Sequence, residues 1–131
     1  GMNHELVIRK SAFHEAGHAT VATALGWAAH IEVYDEPREE GGQIVFGRCF
    51  LREAGIIPPV QRRIIGIAGL IAEAILSGAV DPQTASLDDR RFMGAMTSDE
   101  LGEAAVEARR IIRARAGQWV HMAEDAIQRL Y

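Results

Sequence analysis

"IIGIAGLIAEAILSGAV", residues 64–80, is the longest apolar stretch of the chain, and its environment decides what the rest must build. It is marginally short for a bilayer-spanning helix, which needs about 20 apolar residues. Glu73 stands in its middle, where a carboxylate is costly in hydrocarbon. The stretch therefore reads as a helix buried in a protein core. Pro58-Pro59 suit its first turn and Gly78 its end.

The neighbouring sequence supplies the partners such a helix needs. From Glu5 to Leu25 there is no proline, helix formers predominate, and Gly26 sits where a helix stops. HIEVYDE (30–36) alternates like a strand, PREEGG (37–42) reads as a turn, and QIVFGRCF (43–50) reads as a second strand. They predict a small antiparallel sheet of two or three strands. After the core helix, AVDPQTASL (79–87) is a loop, and a short helix runs from Leu87 or Asp88 to about Met96. Thr97 and Glu100 form a capping box that opens a further helix, Gly117 breaks the chain, and QWVHMAEDAIQRLY closes it with an amphipathic helix. The expected fold is α+β, mainly helical: a single domain over 1–131, with Gly1 before Met2 read as a cloning remnant.

Composition narrows the function classes. Among 131 residues, 48% are hydrophobic and 24% charged, the balance of a globular domain rather than a disordered one. A net charge of −4 speaks against nucleic acid as a partner. Arg109, Arg110, Arg113 and Arg115 read as cations complementing a helix C-terminus, with Glu107 placed to pair with Arg110. No phosphate-cradling GxxxxGK[ST] loop occurs. Cys49 is the lone cysteine, which excludes an intrachain disulfide and fits a reducing compartment; it reads as a small buried hydrophobe. The N-terminus lacks the apolar core of a secretory signal, so a cytoplasmic location is expected.

Chemistry concentrates in SAFHEAGHAT (11–20). On a helix His14 and His18 share one face a turn apart, the spacing two imidazoles need to reach one tetrahedral zinc. Glu15, rotated by one residue, stands beside the metal without ligating it. There it is placed to take a proton from an activated water and deliver it to a leaving amine. Ala12, Ala16, Ala19, Ala22 and Gly17 keep the helix narrow, so another element is able to approach closely.

A catalytic zinc takes a third protein ligand. Glu73 is a candidate because a carboxylate in an apolar helix is expensive unless it serves something. Asp88 and Asp89 are candidates at the loop-to-helix junction, although charges there also complement a helix dipole. His4, His30 and His121 each stand alone and read as structural or surface residues.

These stretches resemble the peptidase domain of the FtsH family of ATP-dependent zinc metallopeptidases. FHEAGHATV (13–21) resembles that family's HEAGH helix. GIAGLIAEAILSG (66–78) resembles its LGGRAAEEIVFG-like helix and keeps Gly69, Ala72, Glu73, Ile75 and Gly78. TASLDDRRFMGAM (84–96) resembles its TGASNDL segment, matching at Ala85 and Ser86. The resemblance covers about residues 8–115 and implies zinc held by His14, His18 and Asp88, with Glu15 as base. It makes Glu73 a nearby carboxylate that orients a ligand histidine.

Two departures matter. Leu87 replaces the family's asparagine and Asp89 its leucine, so Asp88 and Asp89 are able to exchange roles, with Asp88 preferred. Within these 131 residues nothing resembles the family's AAA+ ATPase or membrane helices, and a stand-alone domain is expected. The expected substrates are therefore peptides or unfolded segments, unless a separate AAA+ ATPase chain supplies the motor. The family's rings leave an oligomer open. By resemblance, substrate lies extended along an edge strand, which points to GGQIVFGRCF. Two functions follow: a zinc-dependent metallopeptidase, or a catalytically silent module of the same fold that binds peptides.

Overall fold

The computed structural model describes residues 2–78 and 86–131 and is organised around its first helix, α1 (Met2–Ala24). Ile8, Ala12, Phe13, Ala16, Ala19, Val21 and Ala22 bury that helix against every other main element except the short helix beyond residue 86. Small residues set how close its neighbour comes. A Cβ added at Gly17 would lie 2.6 Å from the Cβ of Ala72 and 2.8 Å from the carbonyl oxygen of Ala68. A larger residue at position 17 would push the two helices apart.

That neighbour is α2 (Pro59–Ser77), the core helix expected from the apolar stretch. It begins after Pro58, buries Ile64 to Leu70 with Ala72 and Glu73, and ends at Gly78, whose φ of 76° places it in the left-handed region.

In the chain between the two helices comes an antiparallel hairpin, β1 (Ala29–Glu40) and β2 (Gln43–Leu51), which packs on α1. It has two strands and no third among the described residues. The turn is tighter than PREEGG suggested. Only Gly41 and Gly42 form it, with φ of 56° and 80°, the positive sign at both positions that a type I′ hairpin turn requires. Pro37 through Glu40 therefore belong to β1. Pro37 is tolerated because pairing is irregular between Val33 and Arg38, where its missing N–H has no ladder bond to make.

After α2, the helix α3 (Leu87–Met93) stops at Gly94, three residues short of the expectation. Most of the expected 79–87 loop, including Ala85, lies outside the described residues, as does Gly1. α4 (Ser98–Ala114) opens with the expected capping box between Thr97 and Glu100, and Arg110 pairs with Glu107. α5 (Ala116–Gln128) begins one residue before Gly117, so the break falls at Arg115 instead. Trp119 fastens α5 to α1: its Nε1 donates to the Phe13 carbonyl at 3.0 Å, and the two rings meet edge to face. The architecture is α+β, with five α-helices and a two-stranded antiparallel sheet among the described residues. No helix among the described residues is long and apolar enough to cross a membrane.

Candidate metal centre

The two histidines of α1 project toward α2, where Gly69 makes room for them. A Cβ at Gly69 would stand 2.4 Å from His14 Nε2 and 2.5 Å from His18 Nε2, so no other residue type fits beneath these rings. Each ring is fixed through its other nitrogen. His14 Nδ1 donates to Glu73 Oε2 at 2.6 Å, and His18 Nδ1 donates to the carbonyl oxygen of Ile65 at 2.7 Å. Both acceptors lack a proton, so each Nδ1 carries one, and in the neutral rings both Nε2 lone pairs are left to face each other 3.1 Å apart.

A carboxylate completes the group. Asp89 Oδ2 lies 3.2 Å from His18 Nε2 and 3.4 Å from His14 Nε2. The ligand-capable atoms of His14, His18 and Asp89 all fall within 4.8 Å of one another. This corrects the expectation of Asp88 in position. Asp88 Oδ2 turns away and accepts from Arg48 Nη1 at 3.2 Å. The reason lies in where α3 starts. Ser86 is its N-cap, accepting from the Asp89 amide at 3.0 Å. Asp89 then shares a face with Met93, one turn on, which is buried against Gly66 of α2. Asp88 falls on the adjoining face. The pattern Asp89, Phe92, Met93 was the sequence signal for this choice.

Glu73, the other ligand candidate, stands behind His14 rather than beside Asp89. It is 8% exposed, and its second oxygen, Oε1, pairs with Lys10 Nζ at 3.2 Å. Burial alone would raise its pKa, but the hydrogen bonds from His14 and Lys10 outweigh that and hold it below the ordinary value. The same logic governs the cluster. Burial disfavours charge on His14, yet Asp89 and Glu73 overcome it and lift its pKa from 6.5 to about 10. His18 is raised as well, with burial opposing and Asp89 prevailing. For Asp89, burial is outweighed by the charge on His18 and by hydrogen bonds with both imidazoles, which keep it well below the usual carboxylate range. Such a constellation, two nitrogens and an oxygen turned inward with the outer atoms committed, suits a divalent cation by its donor chemistry.

Glu15 lies beside the cluster under β2. Gly47 permits this, since a Cβ there would come within 3.1 Å of Glu15 Cγ and 2.9 Å of the Glu32 carbonyl oxygen. Burial raises the Glu15 pKa, with charge on His14 and His18 working the other way. Among the described residues its carboxylate makes no hydrogen bond or ion pair. A cavity of about 610 Å³ opens here, walled by α1 on one side and by Ile44 to Cys49 of β2 on the other.

The remaining candidates stay outside. His4 approaches Asp35 at 3.6 Å on the surface, His30 stacks on Phe50, and His121 is exposed. Cys49 borders the cavity half-buried, and burial pushes its thiol pKa up, which suits the expected inert role. No protein-family model matches the chain, and no curated protein matches it.

Proposed function

We propose that this chain is a zinc-dependent metallopeptidase, with His14, His18 and Asp89 as metal ligands and Glu15 as general base. One observation carries the reading: two Nε2 atoms and a carboxylate oxygen converge beside an uncommitted glutamate in an open cavity. The nitrogen-nitrogen-oxygen set with room for a fourth position is the donor pattern of catalytic zinc. A zinc ion held there supplies Lewis acidity toward a peptide carbonyl and an acidified water.

The protein's own residues do the rest. Glu73 and the Ile65 carbonyl fix the imidazoles so that both Nε2 lone pairs point inward. Glu15, with its pKa raised by burial, accepts the proton of the attacking water and passes it to the nitrogen of the departing amine. β2 pairs only with β1, so its second edge is free of strand partners among the described residues and borders the cavity. An extended peptide laid along that edge would find backbone donors and acceptors beside Glu15. The resemblance to FtsH-type peptidase domains supports the same activity and the same roles for His14, His18 and Glu15, with the third ligand moved from Asp88 to Asp89 on geometry. It extends to substrate class, peptides or unfolded protein, and to a separate AAA+ ATPase as the partner that would unfold larger substrates.

The test couples metal content to hydrolysis. Protein reconstituted with zinc should hold about one ion per chain. Glu15→Gln should keep the ion yet lose peptide hydrolysis by on the order of 100-fold or more. Hydrolysis that survives in Glu15→Gln would remove the base assignment. Zinc-loaded wild type that holds peptides without cutting them would instead make the chain a peptide-binding module.

A further inference from the structure

Asp89 is carried by a short element that packs chiefly on α2. α3 is seven residues long, and it rests on α2 through Met93. Its N-terminal end reaches across the cavity toward β2, and there a chain of charged groups meets it. Arg48 of β2 donates from Nε to both carboxylate oxygens of Glu40, at 2.8 and 3.0 Å. The hairpin itself thus orients the guanidinium, and Nη1 extends from it to Asp88 Oδ2 at 3.2 Å. Among the described residues this is the one direct polar link between the sheet and α3.

From this geometry we infer that Arg48 is a positioning residue for the metal centre, holding Asp88 so that the adjacent Asp89 carboxylate stays over His14 and His18. The inference rests on the metal-centre reading above. Two neighbouring aspartates then have separate tasks: Asp89 faces the histidines, and Asp88 is the handle by which the opposite wall fixes the helix. Glu40 is part of the device because it pre-orients Arg48. Both Arg48 and Asp88 are partly exposed, with side chains 30% and 42% accessible, so solvent screens the pair and its effect is graded. Asp88 accepts from Arg48 alone in the described structure, so either side chain can be changed without removing a metal-facing atom.

Zinc affinity of the full chain, measured by competition with a chromogenic chelator, tests this. Arg48→Met and Asp88→Ala should each weaken zinc binding by about three- to tenfold. The double variant should be no weaker than either single one, because both remove one contact. In an Asp89→Ala background, Arg48→Met should have no further effect on the residual affinity of the two histidines. Unchanged affinity in Arg48→Met, losses that multiply in the double variant, or an equal loss in the Asp89→Ala background would each overturn the positioning role. Wild type that binds no zinc is a separate result and would overturn the metal centre itself.

Discussion

Gly69 shows how much of the site depends on an atom that is missing. The imidazoles of His14 and His18 cannot swing away from a new methyl group without giving up Glu73 and the Ile65 carbonyl. Gly69→Ala should therefore reduce zinc affinity by on the order of 100-fold while far-ultraviolet circular dichroism still reports a helical fold. At this scale the sequence was clear for three residues and ambiguous for the fourth. His14, Glu15 and His18 announce themselves because helical spacing converts their order directly into geometry. The third carboxylate comes from a distant element, so the spacing that fixes the histidines says nothing about it. Matching to a family segment favoured Asp88, whereas the helical period of α3, with Met93 on its buried face, favours Asp89. Sequence identity was a poorer guide there than amphipathic phase.

Among the elements, caps decide where helices begin, and two of them make contrasting predictions. Ser86 accepts from the amide of Asp89, so Ser86→Ala should weaken both α3 and the metal centre. Thr97 caps α4, which packs on α2 away from the cavity. Thr97→Ala should therefore cost about 1 kcal/mol in urea denaturation and leave zinc affinity unchanged. Equal losses of zinc affinity in both variants would contradict this division. The capping box of α4 was legible because Thr97 and Glu100 lie three residues apart and need no distant partner. The length of β1 was not: proline and two glycines in PREEGG mark a turn, but only pairing across the hairpin shows that a two-glycine turn suffices and that an irregularity absorbs Pro37. Gly117 misled for a related reason, since the first turn of a helix leaves its N–H groups unpaired in any case and tolerates glycine there.

For the molecule as a whole, protons would compete with the proposed metal for the same lone pairs. A histidine whose pKa is raised from 6.5 to about 10 contributes stability that is complete below pH 6.5 and fades as the pH climbs toward 10. Asp89, depressed below its ordinary 3.8, contributes stability present above that value and lost as the pH falls beneath it. Metal-free protein should accordingly be most stable between those limits and weaken in alkali. Zinc binds deprotonated imidazole, so the rise in melting temperature it produces should grow between about pH 6 and about pH 9. Thermal denaturation with zinc and with chelator at both values checks this, and a zinc effect that shrinks with pH would contradict it. The α+β class was readable in advance because hydrophobic periodicity is local; how α1 meets α2 was not, because the clearance at Gly17 belongs to two chains of atoms far apart in sequence. The separation of the donors along the chain has a topological consequence. An ion shared by His18 and Asp89 would act as a reversible cross-link closing a loop of seventy-one residues. A covalent bridge over a loop of that size would restrict the unfolded chain by about 4 kcal/mol. Wherever the unfolded chain kept its grip on the ion, it would be a ring with two tails, and refolding would start with α1 and α3 already joined.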